Sequence, residues 1–275
     1  MEKIKAINYY LPSRPCDEDA VRYASKDTQR LTTSPWIPTM YEDLKKTDFK
    51  IYNQKDDKLH GFTESVLASQ ILAMSAFNGK FGKSGVWEVF GTRPYAEKDY
   101  KLTQGQFYSS FNIVPQNVSE NDSLQTLMKK IRENMNSQIE KGAPWTSLRG
   151  YMNNHFAGTV QKGQFTILSS LGEFKMGGPI KDFRFKTTGN ADFGPSLNLF
   201  TFNVKSSNDN KYYLVHSHSP QYYSHRESKA WIKSIKHCLS KINLNTKIAD
   251  AVSELIDVQK DVFKEHDQLL KVVRF

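Results

Sequence analysis

Two cysteines in 275 residues, Cys16 and Cys238, are too few and too far apart for a disulfide framework or a cysteine-based metal site. Long apolar runs are also missing. No stretch approaches the roughly 20 residues of a membrane span, and the opening segment MEKIKAINYYLPSRPCDEDA holds no apolar core of a secretion signal. A reduced, cytoplasmic setting is therefore the expectation. Glycine-dependent motifs fail at their first glycine. NGKFGKS over 78–84 ends like a phosphate-binding loop but has Phe77 where that glycine belongs. LSSLG over 168–172 half-matches a serine nucleophile elbow, with Leu168 in the glycine position. There is no dinucleotide fingerprint, and no carboxylate pair stands out as a glycosidase-type dyad.

What is present is a globular composition, 38% hydrophobic and 24% charged, enough to build a core in one large or two small domains. The net charge is +9, but the basic residues are scattered. Lys129 with Lys130, the stretch 45–50 and the stretch 205–211 are each flanked or interrupted by acidic or polar residues. That pattern points to a solvated basic surface and away from a nucleic-acid partner.

Residues 1–60 are rich in turn formers, as in LTTSPWIPTMYEDLKK, and predict an irregular, wrapping segment. From there the periodicity sharpens. Thr63 is placed to cap a helix running to about Asn78, with Val66, Leu67, Ile71, Leu72, Met74 and Phe77 as its apolar face and Gly79 as its stop. Strands are expected over 86–90 and 106–114. A long amphipathic helix follows from about Asp122, with Leu124, Leu127, Met128, Ile131, Met135 and Ile139 on one side and Gly142 past its end. Further strands read at 164–169, 179–187, 197–204 and 212–218, and a helix at 226–242. Residues 247–271 predict a terminal helix. Gln259 and His266 interrupt its heptad pattern, so docking on the core is favoured over a coiled coil. The division expected is 1–60, then a lobe over 61–243, then a terminal helix over 244–275. The class is α+β, a mixed β-sheet flanked by helices without regular βαβ alternation.

Seven histidines are the main candidates for chemistry: His60, His155, His216, His218, His225, His237 and His266. His216 and His218 alternate on a predicted strand, so their rings share a face and could share a metal. Spacing supplies no third ligand, and a neutral pair near a surface is the plainer reading.

Six segments, in order over about 63–243, resemble the second half of the two-lobed members of the chloramphenicol-acetyltransferase-like superfamily: condensation domains, alcohol acetyltransferases and plant-type acyltransferases. TESVLASQILAMSAF resembles the helix that opens their second lobe, and WEVFGTRPYAEKDYKLTQGQFYSSFNIVP the strand, arginine turn and strand that follow. DSLQTLMKKIRENMNSQIEKG resembles the next long helix. QFTILSSLGEFKMGGPIKDFRF is similar to a serine-bearing strand and its partner. ADFGPSLNLFTF resembles the Asp-Phe-Gly segment, with Pro195 and Ser196 replacing the tryptophan and second glycine of the plant-type motif. YYLVHSHSPQYYSHRESKAWIKSIKHCLSKI resembles the closing strand, turn and helix.

The resemblance implies one lobe of the CoA-dependent acyltransferase fold. It also implies acyl transfer from a CoA or carrier-protein thioester, as co-substrate rather than bound cofactor, to a small alcohol or amine. In that superfamily the histidine of an H-H-x-x-x-D motif is the general base, as suits a group near neutrality. The motif is absent here. His60 comes nearest, although its spacing ends in Glu64. Arg93 resembles the arginine that pairs with the motif's aspartate across the lobes. Asp192 and Gly194 fall in the inter-lobe Asp-Phe-Gly segment, and Ser169 and Ser170 on the channel strand. Three accounts follow. They are a truncated or split product whose first lobe lies elsewhere, a degenerate member acting as a binding or scaffolding module, and chemistry done by residues outside the motif. A lone lobe further implies an apolar face covered by the first 60 residues, the terminal helix, a partner chain or a second copy.

Overall fold

The segment 62–78 has small and apolar residues on all sides rather than one apolar stripe, and the fold is arranged around it. In the computed structural model, which describes residues 39–79, 81–82, 84–95, 108–152, 165–177, 180, 182–185, 196–206, 210–218 and 223–273, helix α1 spans Phe62–Asn78 and every residue from Glu64 to Phe77 is buried. Its start differs from expectation. Gly61, in a left-handed conformation, occupies the N-cap with no side-chain cap, so Thr63 lies inside the helix. Gly79, also left-handed, closes the helix by returning its N–H to Ala76 and Ser75.

A six-stranded mixed sheet lies under α1. Its strands are β1 (Thr39–Lys45), β4 (Val86–Gly91), β5 (Tyr108–Ile113), β6 (Phe165–Lys175), β7 (Ser196–Lys205) and β8 (Asn210–His218), in the order β1-β8-β7-β6-β4-β5. The β4–β6 and β6–β7 pairs are parallel and the rest antiparallel. A short hairpin, β2 (Tyr52–Asn53) with β3 (Lys58–Leu59), precedes α1. Helices α2 (Leu124–Glu140), α4 (His225–Ser240) and α5 (Ile248–Val273) pack around α1, and α3 (Ala143–Met152) packs on β5. The α2 and α4 caps are sequence-encoded. The Ser123 hydroxyl accepts from Thr126 N, and Ser224 with Glu227 forms a reciprocal capping box.

Strand alternation sorts the core. Val86, Phe111, Ile113, Leu168, Leu197, Leu199 and Leu214 face the helices and join their apolar residues in the main cluster. Phe202, Val204, Tyr213 and Val215 face the other way, where Met176, Phe183 and Phe185 cover them. The terminal helix docks as expected, burying Ile248, Ala251, Val252, Leu255 and Val262. Gln259, which breaks the heptad, is buried too. Its amide donates to the Ala73 carbonyl and to Ser234 Oγ, both at 3.2 Å.

Two expectations need correction. The stretch 1–60 is not irregular over its described part: residues 39–45 form an edge strand on β8, and Leu44, Phe49 and Ile51 enter the main core. The strand was hidden because TMYEDLK, half-exposed at a sheet edge, buries only Leu44. The strand expected over 179–187 is not formed at residues 180 or 182–185. Parallel β6 and β7 require a crossover, and this segment belongs to it. The alternation of Phe183 and Phe185 reflects packing on Phe174, Phe202 and Phe200 rather than ladder pairing.

Gly85 brings the start of β4 against the end of β5. A Cβ there would lie 2.5 Å from the Ile113 carbonyl oxygen. Gly85→Ala should therefore lower unfolding free energy by about 1–3 kcal/mol, measured by urea denaturation followed by circular dichroism. An unchanged midpoint would rule out that close approach.

Candidate functional site

The parallel strands β4 and β6 pair only briefly, through Trp87, Glu88 and Val89 on one and Ile167, Leu168 and Ser169 on the other. Beyond Ser169 they part. A β-bulge between Ser170 and Gly172 shifts β6 relative to β7, with Gly172 left-handed at φ 82° and Leu171 exposed. β4 meanwhile continues to Gly91 on β5 alone, then turns through Arg93–Tyr95. Past Ser169 the two strands no longer pair, with Ser170 and Leu171 next on β6 and the Arg93 turn following β4.

The register sets Ser169 opposite Val89 of β4, with Ser170 next on β6 and Arg93 on the turn after β4. Ser169 is buried, while Ser170 is exposed and its Oγ lies 2.9 Å from Thr201 Oγ1. Arg93 is exposed on its turn, beside an aromatic series in which Tyr95 meets Phe90 at 5.6 Å and Trp145 at 5.4 Å between ring centroids. Tyr95 and Trp145 are themselves exposed. Asp192 and Gly194 lie outside the described residues.

His60 lies far from β4 across the sheet. It follows the β2–β3 hairpin, its side chain is 58% exposed, and its Nε2 is 2.7 Å from Asp56 Oδ2. The hairpin end of α1 rests on β8 through Phe62 and Tyr212. β7 and β6 separate β8 from β4, three strand spacings or about 14 Å.

The histidine pair has a different setting from the one expected. His216 and His218 do share the helix-facing side of β8, their rings 5.5 Å apart and 17° from parallel. They are not near the surface: both are at most 1% exposed. Ser228, on α4, lies between them and bonds to His216 Nε2 and, at 2.6 Å, to His218 Nδ1. His216 Nδ1 is 3.0 Å from the Asn198 carbonyl. A carbonyl only accepts, so Nδ1 carries the proton and Nε2 accepts from the Ser228 hydroxyl. The Ser228 oxygen in turn accepts from His218 Nδ1–H. The chain of donors is complete when both rings are neutral. Burial pushes the His216 pKa down to about 3 despite the Asn198 hydrogen bond, and burial likewise holds His218 well below the usual histidine range. Among the described residues no group of three or more metal-ligating side chains forms.

Sequence reasoning missed Ser228 and Glu88. Ser228 reads as one more helical serine, and only the packing of α4 on β8 reveals its partners. Glu88 occupies the helix-facing side of β4, where burial pushes its carboxyl pKa well up and Oε2 has no hydrogen-bond partner. A lone acid inside an alternating strand signals this in principle, but it reads equally well as an outward-facing residue.

No family model matches the chain, and no curated protein matches it. Solved structures do. The starter condensation domain of rhizomide synthetase, in complex with C8-CoA, superposes with TM-score 0.56 at 13% identity, covering 90% of this chain and 54% of that one. The first condensation domain of the calcium-dependent antibiotic synthetase gives 0.53 at 12%, covering 90% and 56%. A complex of the X-domain and OxyB from teicoplanin biosynthesis gives 0.55 at 10%, covering 85% and 55%. The fold is one lobe of the CoA-dependent acyltransferase fold seen in condensation domains. The chain spans about half the length of the structures it matches. Among the described residues no helix is long and apolar enough to cross a membrane.

The histidine–serine chain has a measurable consequence. A histidine whose folded pKa is depressed takes up its proton more readily in the unfolded chain, so its contribution to stability is present above about pH 6.5 and is lost as pH falls toward 3. Each such histidine adds a slope of up to about 1.4 kcal/mol per pH unit in that window. Urea midpoints taken between these limits should fall with acid, and His216→Asn should flatten the dependence. Ser228→Ala leaves two ring nitrogens unsatisfied and should cost about 2–4 kcal/mol at neutral pH. A cost near zero would show that the chain of hydrogen bonds does not support the fold.

Proposed function

We propose that this chain is the second, C-terminal lobe of a condensation-type acyltransferase. The reaction would be acyl transfer from a CoA or carrier thioester to an alcohol or amine, at the end of the sheet where β4 and β6 part. The observation that supports the reading is the half-length match to condensation domains, on a sheet whose parallel strands β4 and β6 part beyond Ser169. In the reaction the thioester C–S bond breaks and an ester or amide bond forms. The acceptor's proton passes to a base and then to the leaving thiolate.

The base comes from a histidine-bearing first lobe supplied by a partner. The two buried histidines of this chain are locked in a neutral chain away from solvent, and His60 is turned to Asp56. Arg93 then serves across the interface, pairing with the structural aspartate of the partner's motif, while Ser169 and Ser170 line the channel.

A second reading, a non-catalytic binding module on the same scaffold, is favoured by the absence of the H-H-x-x-x-D motif from the sequence. The two separate in one assay, release of free CoA from acetyl-CoA or octanoyl-CoA with a panel of alcohols and amines. The chain alone should run at background, since a missing general base costs about 10²–10⁴-fold. Addition of a histidine-bearing first lobe should restore turnover, and Arg93→Ala should lower it about tenfold or more. Turnover by the chain alone that survives both His60→Ala and Arg93→Ala would overturn these assignments. Acyl-CoA binding without turnover under every condition would establish the module instead.

A further inference from the structure

Helices α4 and α5 pack antiparallel, since their side-chain partners run in opposite order: Arg226 with Asp267, Ser234 with Gln259, His237 with Glu254. A histidine of α4 stands near each end of this joint, and the two have opposite neighbours. At one end His237 Nε2 lies 2.6 Å from Glu254 Oε1, so a proton added to that ring makes an ion pair. At the other end His225 faces a second imidazole, His266 of α5, with ring centroids 6.4 Å apart.

The surroundings of this imidazole pair disfavour positive charge. His225 is the first residue of α4, at the positive end of the helix dipole, and Arg226 and Lys229 follow it. The carboxylates of the facing turn of α5 are already engaged, Asp267 by Arg226 at 2.9 Å and Glu265 by Lys229 at 3.8 Å. The Glu227 carboxylate accepts from Ser224 N in the capping box. From β8 the neighbour is another histidine, His218, bonded to Ser228. His266 Nδ1 is buried with no hydrogen-bond partner, and the sequence after Asp267 adds Lys271 and Arg274 but no acid. Partial burial first, then His266 and Lys229, hold the His225 pKa below the usual histidine range. The helix is also held unevenly. Its first half buries Ile248, Ala251, Val252, Leu255 and Gln259. Past the half-buried Phe263, residues 264–268 are exposed apart from the half-buried His266.

We infer that the end of α5 is an acid-released element: neutral imidazoles let it close on the start of α4, and charging them opens it beyond Phe263 while its first half stays docked. A proton on either ring meets the other ring, Arg226 and Lys229, and opening gives it back to water. The closed state disfavours the protonated form, so closure is fully present above about pH 6.5 and weakens as pH falls below it. The inference does not depend on the acyl-transfer reading.

The test is hydrogen exchange of the full chain by mass spectrometry at pH 7.5 and 5.5, corrected for the intrinsic rate. Peptides over 248–258 report the global acid loss expected from His216 and His218. Those over 262–273 should lose more protection than that, by up to a further tenfold or so per pH unit for each proton taken up. His225→Gln should remove this excess. His225→Glu, an acid favoured at a helix start, sets a carboxylate opposite His266 and should reverse the excess, so that the end of α5 is better protected at pH 5.5. Neither change should alter the far-ultraviolet spectrum at pH 7.5, because the side chain is partly exposed at the helix start. Three results would each overturn the inference: the two stretches losing protection in equal proportion, His225→Gln keeping the excess loss, or His225→Glu behaving as the wild type.

Discussion

Everything in this lobe depends on burying α1 from all sides. With residues 64–77 inside, the helix cannot send its polar side chains to water, so each must find a partner within the fold. Ser65, Ser69 and Ser75 return their hydroxyls to the carbonyls of Phe62, Val66 and Ile71 in their own helix. Gln70 reaches across to Thr166 Oγ1 at 2.6 Å, and Thr166 hands its own proton to the Leu197 carbonyl. Glu64 pairs with Arg132 of α2. The polar positions on α1 thereby specify which way it faces on β6 and β7 and which helix lies beside it, something an all-apolar helix would leave loosely defined.

The same logic extends outward through the helices that enclose α1. Gln259 of α5 ties that helix to the Ala73 carbonyl of α1 and to Ser234 of α4, and Ser228 of α4 ties that helix to β8 through two histidines. The helix layer and the sheet are therefore joined by a few buried, directional contacts set within a large apolar cluster. Apolar area supplies most of the driving force; the hydrogen bonds select one arrangement, because each alternative leaves a buried donor or acceptor unmatched. On the other side of the sheet the joint is aromatic and ionic. Phe183 lies on Phe174 and Phe202, Tyr213 donates to Asp182 at 2.8 Å, and the Arg184 guanidinium lies 4.6 Å from the Tyr213 ring centre. Burial and the Asp182 hydrogen bond push the Tyr213 pKa up to about 12, so this clasp keeps its proton throughout the neutral range.

Function on this scaffold rests on what happens at the ends of strands. Where β4 and β6 separate, a bulge follows Ser170 on one strand and the Arg93 turn follows the other. At the other end of β4, Gly85 brings that strand against the end of β5. Neither place is formed by one element alone. The long sequence separation between 85 and 113, and between 93 and 170, is why no local motif announces either.

The α+β class and most of the elements were legible in the chain, for a physical reason: helix and strand periodicities, cap residues such as Ser123 and Ser224, and the stop at Gly79 are local properties. Where patterns misled, tertiary context had intervened. Thr63 looks like a cap, but Gly61 supplies the left-handed turn that starts the helix. Phe183 and Phe185 alternate as a strand would, because they pack on a sheet without joining it. Residues 39–45 look irregular, because an edge strand needs little apolar surface. The six ordered segments pointed to one lobe of the CoA-dependent acyltransferase fold, and the architecture agrees with that fold. By itself the sequence determined most of the long helices and central strands and that the histidine motif is missing, since both are read along the chain. Only the tertiary structure decided that His216 and His218 are sealed around Ser228, that His60 is exposed beside Asp56 after the β2–β3 hairpin, and that β4 and β6 part beyond Ser169. Burial and proximity across strands depend on how distant segments pack, and no local spacing encodes them.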